Sequence, residues 1–122
     1  MKKILIIEDE QDLASTLSKR LTSVGYEVMI SMDALLGVAQ AHKSKVDLII
    51  LDLMLPGGGG HSVLSNLKCS TLTMNIPVLV LTGMQDEVRK KKILEMGVDG
   101  YMQKPYEIQN VLSEIKRILV EP

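Results

Sequence analysis

Tryptophan and phenylalanine are absent from the sequence, and three tyrosines are its whole aromatic complement. The interior must therefore be filled by Ile, Leu and Val, with eight methionines as adaptable filler. The single cysteine, Cys69, cannot form an internal disulfide, which suits a reducing, cytoplasmic setting. Neither sign of charge is in excess. The formal net charge is −1, so no global field points to nucleic acid or a membrane surface as partner. No apolar run approaches the roughly 18 residues of a membrane span. The opening MKKILIIEDE has a basic tip and a short apolar run. It then turns acidic without a small-residue cleavage site, so it does not read as a signal peptide. His42 and His61 lack metal-ligand spacing and read as surface residues.

What is present is a regular alternation. The 122 residues suffice for one domain with a real core. Short apolar runs at 3–8, 27–31, 46–52, 76–82 and 98–103 read as strands. Helix-period segments at 11–24, 33–42, 60–69, 86–96 and 106–119 lie between and after them. The first helix carries Leu13, Leu17, Leu21 and Val24 towards the core, and Gly25 stops it. Asp33 is placed to cap the second helix. The fourth helix, with the run EVRKKK, is very polar and reads as a solvated face or equally as a partner surface; Gly97 ends it. Five βα units imply an α/β, doubly wound (βα)5 fold with a parallel five-stranded sheet. The 27–31 strand is the least apolar and suits an edge. The common order for such sheets is 2-1-3-4-5, the flavodoxin-like arrangement, and it is the expectation here.

In open α/β sheets, ligands bind at the carboxyl ends of the strands near the point where strand order reverses. Those ends carry Glu8 and Asp9, then Asp52, then Thr82, then Gln103, Lys104 and Pro105. Three carboxylates would converge there, with one lysine and one hydroxyl nearby. Acids so close repel, and a cation or protonation must relieve them. Oxygen donors without His or Cys favour a hard cation, Mg²⁺ before zinc or copper. Asp52 would then suit nucleophilic attack on phosphorus, with charge supplied by the metal and Lys104.

Four stretches, ILIIEDE, LIILDLMLPGGGG, PVLVLTG and GVDGYMQKP, together resemble the receiver domains of two-component response regulators, in order and along the whole chain. The resemblance implies a phosphoacceptor at Asp52 and a metal-binding acid pair at Glu8 and Asp9, with Glu8 a variant of aspartate. It implies a switching hydroxyl at Thr82, a charge-supplying Lys104, and an aromatic at Tyr101 that reorients. It also implies a cis bond between Lys104 and Pro105, and a backbone carbonyl of Met54 offered to Mg²⁺. The donor would be a sensor histidine kinase or a histidine phosphotransfer protein. The switched surface would be the fourth helix, fifth strand and fifth helix, read by an output domain or target protein, with homodimerisation through that face open. Such a unit is a signalling phosphoacceptor rather than an enzyme, without direct nucleic-acid or membrane contact. Only Val120, Glu121 and Pro122 follow the last helix, so residues 1–122 read as one receiver domain without an output domain. A stand-alone protein and a piece of a longer regulator both remain open.

Two departures from the family pattern carry expectations. The run Gly57–Gly60 would leave room for a phosphoryl donor and a partner helix. Met54 and Met84 flank the site where polar groups are common, and thioethers order a hydrolytic water poorly. Slow loss of the phosphoryl group is the expectation. Other classes fit less well. A haloacid-dehalogenase-type phosphatase wants a second acid two residues after the nucleophile, where Met54 stands. A flavodoxin-like electron carrier wants a phosphate-cradling loop after the first strand, where Glu-Asp-Glu stands. A degenerate receiver that only docks would not need the full set of acids, hydroxyl and lysine.

Overall fold

The computed structural model describes residues 1–55 and 59–121. Ten elements alternate: β1 (Lys3–Ile7), α1 (Gln11–Ser23), β2 (Glu27–Ser31), α2 (Ala34–Lys43), β3 (Leu48–Leu51), α3 (Gly59–Cys69), β4 (Val78–Thr82), α4 (Glu87–Glu95), β5 (Gly100–Gln103) and α5 (Ile108–Leu119). The strands form one parallel sheet of order β2-β1-β3-β4-β5, as expected. No helix among the described residues is long and apolar enough to cross a membrane.

Strand alternation builds two cores. Leu5, Ile7, Ile49, Leu51, Val78 and Val80 meet Val63, Leu64 and Leu67 of α3, Ala41 of α2 and Ile93 of α4. The intervening Ile4, Ile6, Leu48, Ile50, Leu79 and Leu81 meet Ala14, Leu17 and Leu21 of α1 and Val111, Leu112 and Ile115 of α5. Successive side chains of a strand point to opposite faces, so a strand apolar at every position serves both layers. Each fully buried Ile, Leu or Val contributes roughly 1.5–3 kcal/mol. The three inner strands, buried throughout apart from Lys3, are therefore the rigid part of the molecule.

The outer elements are looser. Both edge strands, β2 and β5, are largely part-exposed. Asp33 caps α2 as expected, accepting from the Leu36 N–H at 2.8 Å. α1 ends at Ser23, one residue short of the expected face. Val24 is therefore half exposed, and Gly25 turns the chain at φ +103°. Only Ile93 of α4 is buried. That one side chain stands against roughly 1 kcal/mol or more of backbone entropy per ordered residue. α4 leans instead on its cap: Asp86 accepts from the Val88 and Arg89 N–H groups at 3.0 and 3.2 Å. Such a cap supplies about 1 kcal/mol.

α3 begins at Gly59, one residue earlier than the sequence pattern indicates, and both Gly59 and Gly60 are buried. A Cβ on Gly60 would land on the Leu53 backbone, immediately after Asp52; one on Gly59 would press on Ala34. At these two positions, the missing side chains permit close internal packing rather than access for a donor. Gly57 and Gly58, on which the access reading also rested, lie outside the described residues. Because backbone cannot yield as a side chain can, Gly60→Ala should cost about 2 kcal/mol or more in urea denaturation. Gly83→Ala, with open space around it, should cost less than ~0.5 kcal/mol.

Candidate functional site

The strand order brings the acids together. β1 lies between β2 and β3, and both chain exits are tied to a neighbour. The Glu8 N–H donates to the Ser31 carbonyl at 3.0 Å, and the Asp52 N–H to the Ile7 carbonyl at 3.1 Å. Each acid therefore leaves its strand with its backbone still fixed. One carboxylate oxygen from each of Glu8, Asp9 and Asp52 lies within 4.8 Å of the others. Glu8 and Asp52 are buried, at 6% and 5% exposure, whereas Asp9 is open to solvent.

Lys104 enters from the far edge. Its N–H donates to the Thr82 carbonyl at 2.8 Å, extending the β4–β5 pairing by one residue. The Lys104–Pro105 peptide bond is cis. The ammonium then reaches Glu8 Oε1 at 2.8 Å and Asp52 Oδ2 at 3.2 Å. The remaining carboxylate oxygens are held by backbone. Asp52 Oδ1 accepts from the Met54 N–H at 3.0 Å, and Glu8 Oε2 from the Glu10 N–H at 3.2 Å.

One ammonium cannot balance three carboxylates. Burial, followed by the neighbouring Asp52, pushes the Glu8 pKa up to about 7 against the pull of Lys104. Burial works against the Lys104 charge, but the bond to Glu8 and the Asp52 charge outweigh it and hold its pKa above the ordinary value. The donor set is all oxygen, close-spaced and short of positive charge. Those are the properties that suit a hard divalent cation such as Mg²⁺.

The other predicted residues sit further out. Thr82 ends β4 fully buried, and its Oγ1 accepts from the Met84 N–H at 3.1 Å. Tyr101, on β5, pairs with Val80 of β4 and packs on the α3–α4 side of the core. Its hydroxyl is buried and, among the described residues, has no hydrogen-bond partner. Burial, then the charge of Glu87, raises its pKa. Met54 is exposed and Met84 half-buried. His42 and His61 are exposed, as is the free Cys69.

Sequence reasoning missed two features. The Lys90 ammonium lies 5.2 Å from the centre of the Tyr101 ring, within range of a cation–π contact. Nothing local links residues so far apart in sequence. Tyr106 packs on the α1–α5 core. It also lies close enough to the acids for Lys104, Glu8 and Asp52 to act on its hydroxyl, whose pKa is raised mainly by burial.

A carboxyl whose pKa rises on folding holds its proton more tightly in the folded state. Its contribution to stability is full below pH 4.5 and is lost as pH climbs towards about 7. In chelator, the melting temperature of the wild type should therefore fall across that window by more than that of Glu8→Gln. Added Mg²⁺ should restore the wild type at the upper end and leave Glu8→Gln unmoved.

The response regulator receiver domain family matches residues 4–116. The chain is 34% identical over 119 residues to the sensory transduction protein RegX3 of Mycolicibacterium smegmatis, covering 98% of this chain and 51% of that protein. It is 37% identical over 118 residues to the alkaline phosphatase synthesis transcriptional regulatory protein PhoP of Bacillus subtilis, covering 97% and 48%. The chain spans about half the length of these curated relatives. Its fold superposes with a TM-score of 0.91 on the crystal structure of a CheY-like response regulator receiver domain protein from Methanospirillum hungatei JF-1. That alignment has 28% identity and covers 98% of this chain and 94% of the other. The family match runs from β1 into α5 across every strand that shapes the acidic cleft, and the chain belongs to the response regulator receiver domains, the phosphoaccepting units of two-component signalling.

Proposed function

We propose that Asp52 takes a phosphoryl group from the phosphohistidine of a sensor histidine kinase or histidine phosphotransfer protein, with residues 1–122 acting as one receiver unit. The observation that carries this reading is the Lys104 ammonium bridging Asp52 and Glu8 beside Asp9. It joins a fixed carboxylate nucleophile, two further acids and a fixed cation in one cleft. An Asp52 oxygen attacks phosphorus while the P–N bond breaks. The electron pair returns to the imidazole, which takes up a proton, and an aspartyl phosphate results. Lys104 is already on Asp52 and offers charge to the phosphoryl oxygens. The Thr82 hydroxyl accepts from the Met84 N–H, so its own proton is available to a phosphoryl oxygen. Glu8, Asp9, Asp52 and the Met54 carbonyl are the groups that would hold Mg²⁺. When bound, the ion supplies positive charge against the phosphoryl oxygens.

The phosphoryl group then draws Thr82 inward, Tyr101 reorients, and the surface of α4, β5 and α5 changes. Two features support this. The Tyr101 hydroxyl is buried without a partner among the described residues, which disfavours its present position. α4 buries only Ile93. The unit catalyses its own phosphorylation and dephosphorylation but serves as a switch rather than an enzyme. It works in the cytoplasm, without direct contact to nucleic acid or membrane. It passes its state to an output domain or target protein, or to a second copy through the same face.

Intact mass after incubation with acetyl phosphate tests the reading. One phosphoryl group should be gained in the wild type with Mg²⁺, and none without the ion or in Asp52→Asn. An equal gain in Asp52→Asn contradicts the assignment. The combined Met54→Asn and Met84→Glu variant should lose the group severalfold faster than the wild type; an unchanged lifetime contradicts the role given to the thioethers.

A further inference from the structure

Beside the acidic cleft lies a cavity of about 340 Å³, lined by Leu53, His61, Met84, Arg89, Lys92 and Ile93. It shares no residue with the carboxylate cluster. Its apolar part comes from Leu53 and Ile93, both buried, and the half-buried Met84. Arg89, Lys92 and Ile93 stand at i, i+3 and i+4 of α4, so they share one helix face. His61, in the first turn of α3, lines the cavity with them.

The cations here are poorly matched. Arg89 Nε reaches Asp86 Oδ2 only at 3.8 Å, while Asp86 Oδ1 is committed to the α4 cap. Among the described residues, no carboxylate lies within ion-pair distance of Lys92 or His61. A concave site of this volume, with an apolar floor and a few polar groups, has the form of a small-molecule pocket. Its charge selects the sign of the ligand. We infer that this cavity between α3 and α4 binds a small organic anion, with its apolar body on Leu53, Met84 and Ile93 and its charged group on Arg89 and Lys92.

The walls give such a ligand a route to the phosphorylation site. Leu53 follows Asp52 directly, and the Met84 N–H donates to Thr82 Oγ1 at 3.1 Å. A ligand that fixes Met84 bears on the hydroxyl of Thr82.

The test uses 8-anilinonaphthalene-1-sulfonate as the probe, titrated into the full chain and followed by fluorescence and by backbone amide shifts. One saturable site is expected, with shifts centred on Leu53, Met84 and Ile93. The Arg89→Gln, Lys92→Gln double variant should weaken binding at least tenfold while its melting temperature stays within the spread of the wild type. N-phenyl-1-naphthylamine, the same apolar body without the sulfonate, should bind much more weakly. Equal affinity in the double variant, equal affinity for the neutral analogue, or shifts centred on the exposed Leu35 and Leu36 of α2 would overturn the assignment. So would tighter binding of a glutamate-rich peptide with shifts spread over Lys90 and Lys91, which would mark a protein-docking face instead.

Discussion

One ammonium set against three carboxylates governs this molecule. Lys104 touches Glu8 and Asp52 at once, and the charge it leaves unbalanced is what makes the cleft receptive to a further cation. Burying acids costs several kcal/mol unless each is paired and hydrogen-bonded. Here every oxygen of Glu8 and Asp52 has a donor, from Lys104 or from the Glu10 and Met54 N–H groups. The remaining cost is electrostatic, and it surfaces as the raised pKa of Glu8. The sheet tolerates this because its inner strands are apolar on both faces. A dozen fully buried large side chains, each worth roughly 1.5–3 kcal/mol, far outweigh one strained acid.

Rigidity and looseness are divided accordingly. The inner strands deliver Glu8, Asp52 and Thr82 on backbone fixed by hydrogen bonds to neighbouring chain ends. The far side of the cleft is different. β5 is a part-exposed edge, α4 has one buried residue, and Tyr101 keeps a hydroxyl buried without a partner among the described residues. A cation–π contact from a part-exposed lysine, worth roughly 0.5–1 kcal/mol, is a light restraint on that ring. Elements held this weakly are the ones a local charge change can move. The same α4 supplies the cationic wall of the neighbouring cavity, so anything bound there acts on the part of the fold least anchored to the core.

Much of this was legible in the sequence. The apolar runs and helical periods fix five βα units, and a parallel sheet of that kind places strand ends at one edge. Asp52, Glu8, Asp9, Thr82 and Lys104 could be picked out because each ends or follows a strand. The limits were physical as well. Val24 continues the helical period, but α1 stops before it. The Gly57–Gly60 run read as room for a donor because glycine signals freedom, whereas Gly59 and Gly60 permit close packing on Ala34 and backbone contact with Leu53. The contacts of Lys104 with Glu8, and of Lys90 with Tyr101, join residues far apart in sequence, and no local pattern encodes such pairs. The cavity between α3 and α4 depends on how two helices sit on the sheet, which side-chain periodicity does not specify.

The most direct measurement is a crystal structure of the protein with Mg²⁺ and beryllofluoride, a phosphoryl mimic that bonds to carboxylate oxygen. Beryllium should sit on Asp52 alone, with Lys104 Nζ and the Thr82 hydroxyl on its fluorides. Beryllofluoride on Glu8 or Asp9, or Lys104 still clamped between Glu8 and Asp52 with no fluoride contact, would contradict it.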